Sequence, residues 1–246
     1  MRLTRVFVET ALTSGTSVEL PPDTGSHLAK VLRARGGDEL ILFSGDGREF
    51  NGAIEAVRGS RVSVAVGDSR HVNRESPLAV TLVQCVPRGD RMDFIVQKAT
   101  ELGVARISPV LSQRSVVRLD KTQAESKAIH WRAVALSACE QCGRNRLPII
   151  EAAQPLLHYL GESAPSAGLK LVFEPESAAR GPGGAAGDAI VDAEIAIGPE
   201  GGFAPDELEA FRVAGFSQVG LGPRVLRTET AAIAAVVWLQ ARFGDI

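Results

Sequence analysis

From about residue 77 onward, apolar runs of strand length alternate with segments of helical pattern, and this alternation restricts the chain to a mostly parallel α/β sheet with helices on both faces. The runs lie at 78–86, 104–111, 169–173, 194–197 and 216–221. Helix-like stretches lie at 91–102, 121–142, 205–214 and 228–243. Strands buried on both faces read as continuous apolar runs, as these do. Two of the runs end in Gly-Pro, as Ile197-Gly198-Pro199-Glu200-Gly201-Gly202 and as Leu221-Gly222-Pro223-Arg224. Proline stops a strand and removes a donor, while glycine lets the chain bend and a ligand approach the backbone. Loops beyond the strand C-termini are where open α/β sheets bind ligands. Two of them so close in sequence point to one shared pocket.

The first 70 or so residues follow a different rule, period-two alternation broken by turn residues. Strands are expected at 5–8, 40–43, 49–54 and 61–66, with Ser44-Gly45-Asp46-Gly47 turning a hairpin. Ser26 is expected to cap a helix over 27–33 that carries Lys30 and Arg33 and leads to Arg35. Those cations either form a basic face or solvate the helix. A small β-barrel with one basic helix is the simplest arrangement. The polar stretch 71–77, ending in Pro77, reads as a linker. Two domains follow, at 1–72 and 77–246. A Gly/Ala/Pro-rich loop is expected at 178–189.

The net charge of −2 conceals a segregation. Residues 1–76 carry 10 basic and 10 acidic side chains, residues 77–150 carry 11 and 6, and residues 151–246 carry 6 and 13. The middle third can therefore supply a basic face, although an ordinary mixed surface accounts for the same counts. Residues 1–9 lack the apolar core of a secretory signal, and the apolar stretch 231–239 is too short to span a bilayer. The reading is a cytoplasmic protein without membrane association. Three cysteines argue against a disulfide framework.

Common chemical signatures are missing. There is no G-x-x-x-x-G-K-[ST] loop and no early G-x-G-x-x-G, while Gly181-Pro182-Gly183-Gly184 sits in a low-complexity loop. Cys139 and Cys142 form a C-x-x-C at the end of a helix, where the dipole does not activate a thiol, and no second pair exists for zinc. No metal is expected. Arg144 and Arg146, between Gly143 and Pro148, suit phosphate recognition, as do Arg88 and Arg91 after the first strand of the second domain. Capping of helix C-termini by arginine is the plainer reading of each. The densest cluster is 222–230, where Arg224 and Arg227 near an apolar strand end call for a partner.

These segments resemble a known family. Ile197-Gly198-Pro199-Glu200-Gly201-Gly202-Phe203, followed by Leu221-Gly222-Pro223-Arg224-Val225-Leu226-Arg227-Thr228-Glu229-Thr230, is similar to the signature of the SPOUT, or trefoil-knot, RNA methyltransferases. Within them it is closest to those that methylate N3 of a uridine in 16S rRNA. The likeness extends through Arg88-Gly89-Asp90-Arg91-Met92-Asp93, Gln97-Lys98-Ala99-Thr100-Glu101-Leu102-Gly103, Gln113-Arg114-Ser115 and Glu140-Gln141-Cys142-Gly143-Arg144. It implies a PUA-like barrel followed by a knotted α/β domain, S-adenosylmethionine as methyl donor, and a homodimer with active sites at the subunit interface. Small-subunit rRNA is the implied substrate.

On that resemblance, Phe173, Glu174, Ile197, Gly198, Gly202, Leu221, Gly222, Leu226 and Thr228 are expected to bind the cofactor. The cofactor has no phosphate, which agrees with the missing P-loop. Uridine N3 must lose a proton to attack. Glu200 and Glu229 are the candidate bases, and Arg224 and Arg227 the candidate stabilisers of the resulting anion. For Glu200 a loop-stabilising role is an equal reading. Lys30, Arg33, Arg35, Arg88, Arg91, Arg144 and Arg146 are the expected RNA contacts. Ribose 2′-O methylation and a non-catalytic RNA-binding assembly factor are the alternatives.

Overall fold

The two sequence patterns resolve into two compact units in the computed structural model, which describes residues 3–162, 168–175, 177 and 190–246. One unit comprises residues 1–75 with 139–147, and the other 76–138 with 148–246. The segment 139–147 thus joins the N-terminal unit, whereas the sequence placed it in a contiguous second domain. The Gly/Ala-rich loop expected at 178–189 lies outside the described residues.

The N-terminal unit holds β1 (Thr4–Phe7), β2 (Ser17–Glu19), α1 (Pro22–Lys30), β3 (Glu39–Phe43), β4 (Arg48–Arg58) and β5 (Arg61–His71). They build a five-stranded sheet in the order β1-β3-β4-β5-β2. Only the β1–β3 pair is parallel. Alternation does what period two requires: Val62, Val64 and Val66 are buried in one cluster with Leu40, Leu42, Phe50 and Ile54. Gly52 is needed there, because a Cβ would lie 2.8 Å from Leu40 Cδ1 and 2.9 Å from Val64 Cγ1. The hairpin turn holds, with Gly45 and Gly47 at φ +89° and +91°.

The expected cap does not hold. Helix α1 begins at Pro22 with Pro21 at the N-cap position, so Ser26 is interior. Pro22, at the first helical position, presets the φ of the first turn. The helix ends at Lys30, and Arg33 adopts φ +53°, so Arg33 and Arg35 lie beyond it.

The second unit holds β6 (Ala79–Cys85), α2 (Arg91–Glu101), β7 (Arg106–Leu111), α3 (Lys121–Cys142), β8 (Ile149–Ile150), β9 (Gln154–Pro155), α4 (Leu156–Glu162), β10 (Leu169–Phe173), β11 (Asp192–Ile197), α5 (Pro205–Val213), β12 (Ser217–Val219) and α6 (Thr228–Phe243). The last turn of α3 belongs with the N-terminal unit. All pairings are parallel, in the order β12-β10-β11-β6-β7-β8, with β9 also on β7. One face packs Leu82, Leu171 and Ile195 against Ile95, Ala99, Ala235 and Leu239. The other packs Val83, Val172 and Ala196 against Leu160, Phe203, Phe211 and Phe216. Both faces are covered, which is why these strands lack polar alternation.

The strand order places the ligand-binding edge. From β6 the chain runs outward through β7 and β8, then returns on the other side with β10, β11 and β12. The strand order, with every strand parallel, therefore reverses between β6 and β11, the topological switch point. At that edge Phe173 pairs in register with Ile197 and Val219, and Ile197 pairs with Gln84. Both Gly-Pro loops and the segment after β10 leave the sheet at one level.

Candidate active site

The residues after β10 and β12 enclose the cleft that the sequence anticipated. Phe173, Glu174, Pro175, Leu221, Arg224, Leu226 and Ala231 line a space of about 280 Å³, including its open mouth. Phe173, Glu174, Leu221 and Leu226 thus meet as expected. Gly222 turns the loop at φ +103° and Gly202 turns its counterpart at φ +69°. The Glu174 amide donates to Val219 O at 2.9 Å, holding the two strand ends together. A hollow of about 1370 Å³ on the same measure lies beside α4 and α5, lined by Leu157, Lys170, Asp206 and Val213. It contains none of the loop residues, so size alone does not locate the chemistry.

Ile197, Gly198, Gly202 and Thr228 do not wall the cleft. Thr228, the first residue of α6, donates its hydroxyl to Gly198 O at 2.8 Å and accepts from Gln84 Nε2 at 3.0 Å. Gln84 is fully buried in β6 and also donates to Cys85 O at 2.9 Å. A carbonyl only accepts, so Cys85 O fixes which way the Gln84 amide faces. The chain of bonds therefore runs in one direction, from Gln84 through Thr228 to Gly198. It ties the first Gly-Pro loop to the start of the last helix. Gln84 Oε1 is buried without a partner. Gln84 was overlooked in the sequence; its signal was a lone amide within an apolar strand.

Three charged residues form the polar part of the site. Arg91, at the start of α2, donates to Glu200 Oε1 at 2.7 Å and lies 3.8 Å from Glu229 Oε1. Arg91, one of the expected RNA contacts, has its guanidinium between the two candidate bases. Glu229 Oε2 is buried without a partner. Arg114 donates to Gly201 O at 3.1 Å, and Glu207 accepts from the amides of Ala204 and Gln113 at 2.8 Å each. The Gln113-Arg114-Ser115 segment thus braces the Glu200 loop.

Arg224 and Arg227 are exposed, so the expected burial cost does not arise; water solvates them. Lys30, Arg33, Arg35, Arg88 and Arg146 are exposed as well. Arg144 is not. It is 4% exposed, and its Nε donates to Glu75 Oε2 at 3.0 Å, so its expected RNA contact is withdrawn. Cys139 is buried, and burial pushes its thiol up to about 12, in keeping with a structural C-x-x-C. Among the described residues no group of three or more His, Cys, Asp or Glu side chains could hold a metal ion. No helix among them is long and apolar enough to cross a membrane.

Comparison with known proteins agrees with this geometry. The RNA methyltransferase domain family matches residues 74–240, and the RNA methyltransferase PUA domain matches residues 20–66. A ribosomal RNA small subunit methyltransferase E from Buchnera aphidicola (Schizaphis graminum) is 32% identical over 100% of this chain and 98% of its own. One from Bacillus subtilis is 34% identical over 85% of this chain and 84% of its own. The crystal structure of ribosomal RNA small subunit methyltransferase E from Neisseria gonorrhoeae, bound to S-adenosyl methionine, is 34% identical over the full length of both chains, with a TM-score of 0.90. With that cover of both units at that identity, the chain belongs to the ribosomal RNA small subunit methyltransferase E family.

Proposed function

We propose that this protein methylates N3 of a uridine in 16S rRNA with S-adenosylmethionine as donor. The observation that carries this reading is the convergence, on one sheet edge, of the Phe173–Leu226 cleft and the Arg91–Glu200–Glu229 cluster. The cleft suits the cofactor. Phe173, Leu221 and Leu226 offer apolar walls to an adenine, and the Glu174 carboxylate and the loop carbonyls offer acceptors to ribose hydroxyls. When bound, the cofactor supplies an electrophilic methyl group on a sulfonium.

The protein's task is then to position the uridine and remove its imide proton. Between the two candidate bases, the geometry favours Glu229. Glu200 is held by Arg91 at 2.7 Å, whereas Glu229 keeps a longer contact and an oxygen free of donors. A carboxylate oxygen without a donor is the better proton acceptor. Glu200 fixes Arg91, which in turn aims Glu229. Arg224 and Arg227, both exposed, stabilise the charge that grows on the uracil oxygens. A trefoil knot and a homodimer are further parts of the reading. The exposed Val225 and Val237, on the loop and helix of this site, support a second copy covering that face. The mass in solution, twice 26.0 kDa, checks the dimer.

The test is mass spectrometry of 16S rRNA from cells lacking the protein and then supplied with variants. The wild-type chain should restore N3-methyluridine. Glu229→Gln should abolish restoration while leaving S-adenosylmethionine binding intact by calorimetry, and Glu200→Gln should lower it about 10- to 100-fold. Methylation at a ribose 2′-hydroxyl would overturn the base assignment, and absence of cofactor binding would overturn the enzyme.

A further inference from the structure

The loop 143–146 keeps its own Arg146 exposed, and two arginines from elsewhere in the N-terminal unit hold its backbone. Arg5 donates from Nη2 to Arg144 O at 3.3 Å and to the Asn145 side-chain oxygen. Arg74 donates from Nη1 to Gly143 O at 2.9 Å. Both also meet Glu49, which Arg70 joins from β5. Glu49 accepts from Arg5 Nη1 at 2.7 Å, Arg70 Nε at 2.9 Å and Arg74 Nη1 at 3.2 Å. One buried carboxylate thus organises three guanidiniums, all within the N-terminal unit.

We propose that Arg5, Arg70 and Arg74 form a site for a phosphodiester group of RNA on the N-terminal unit. The charge is unbalanced. After Glu49 is counted, the cluster keeps two positive charges. The nearby acids are committed, Glu75 to Arg144, Asp46 to Arg48, and Glu140 to the Phe7 amide. A purely structural role for Glu49 needs one arginine. Arg5 is the buried member and is matched by Glu49, while Arg70 and Arg74 reach solvent, so the two unmatched charges lie where an anion can meet them. A donor already waits unmet: the Arg5 side chain is 5% exposed, and its Nε is buried without a partner.

The cluster opens outward. Arg5, Arg70 and Arg74 line a cleft with Leu3 and Ile41, and the side chains of Arg70 and Arg74 are 65% and 41% exposed. Their remaining N–H forks match phosphate oxygens in pairs, and Glu49 fixes the guanidiniums beforehand. The apolar wall of Leu3 and Ile41 suits the ribose that a phosphodiester carries and a free phosphate lacks. The choice of RNA as the source rests on the proposed function, and the test keeps the two apart.

The experiment measures binding of 16S rRNA to the full-length chain over a range of potassium chloride, with S-adenosylmethionine binding followed in parallel. Arg70→Gln/Arg74→Gln should bind about tenfold more weakly near 0.15 M salt. Its salt slope should be smaller by about 1.4, for two contacts at roughly 0.7 each on single-stranded RNA. Arg70→Lys/Arg74→Lys should restore the slope but not all of the affinity, because charge returns without the fork. Cofactor binding should not change in either. Since Arg74 also supports the loop, Arg70→Gln alone provides a milder variant, with half the slope change. Arg212→Gln, on the other unit, should leave the slope alone. A folded Arg70→Gln chain with wild-type affinity and slope overturns the site, as does equal weakening by Arg212→Gln. Loss of methylation with RNA binding intact would speak against the proposed function and leave this site standing.

Discussion

Thr228 shows how a single hydroxyl can organise a ligand cleft that it does not line. It has one proton, which goes to Gly198 O, because Gln84 Nε2 already occupies an acceptor position. Replacing it with valine keeps the shape but leaves the Gly198 carbonyl and one Gln84 proton unpaired in a dry setting, at a cost of about 1–3 kcal/mol. We expect Thr228→Val to weaken S-adenosylmethionine binding at least tenfold, and Thr228→Ser to retain most of it, as isothermal calorimetry can check. Equal losses in the two would assign Thr228 to packing alone. The sequence marked Thr228 as part of the site but not its direction. Neither residue type nor spacing reveals that its partners are a strand amide 144 positions away and a loop carbonyl 30 positions away. Arg91 and Arg144 followed the same course. Each was read as a charged residue facing RNA, and the structure adds acidic partners that the sequence did not indicate, Glu200 and Glu229 for Arg91 and Glu75 for Arg144.

At the scale of elements, strand ends matter more than strand interiors. The apolar runs were legible because burial on both faces writes itself as composition, and the helices at 121–142 and 228–243 were legible because they are long. Short pieces were not. Strands β2, β8 and β9 have three, two and two residues, and α4 has seven, too few for a period to show. The helix over 27–33 began a turn early because a proline at the first position outweighed a serine that only resembled a cap. Gly220 illustrates what strand ends demand. A Cβ there would lie 2.6 Å from Ser177 O and 3.5 Å from Glu174 O, so any side chain pushes the 174–177 segment away from the second loop. Gly220→Ala should destabilise the chain by about 1–3 kcal/mol and reduce cofactor affinity more than a core truncation of equal cost, such as Ile150→Ala. Thermal melts paired with calorimetry on the two variants decide it.

Across the whole molecule, both units have an apolar core, but the N-terminal unit adds a buried carboxylate bound to three arginines, and acid should weaken that unit first. Burial alone would raise the Glu49 carboxyl, but hydrogen bonds and charge from Arg5 and Arg74 outweigh it and hold the group at about 2, below its ordinary 4.5. A depressed carboxyl stabilises the fold above its unfolded value and loses that contribution as pH falls toward its folded value. The N-terminal unit should therefore weaken between about pH 4.5 and pH 2, by something on the order of 3 kcal/mol. Glu49→Gln should flatten this dependence and lower stability at neutral pH, since three guanidiniums would lose their anion. Melting monitored over that range checks both.

The sequence by itself determined the two-unit plan, the parallel sheet, the loops that reach the ligand edge and, through the long Gly-Pro-Arg-Val-Leu-Arg-Thr-Glu run, the family. Each of these is written in local order, as a period, a turn residue or a contiguous motif. Only the tertiary structure decided which charges face one another. It moved residues 139–147 to the N-terminal unit, turned Arg144 inward to Glu75, set Arg91 between Glu200 and Glu229, and gathered Arg5, Arg70 and Arg74 on Glu49. The physical reason is that burial and Coulomb interactions depend on distance in space. The partners here lie from 21 positions apart (Arg70 and Glu49) to 138 apart (Arg91 and Glu229, 229 − 91), and no local pattern encodes such separations.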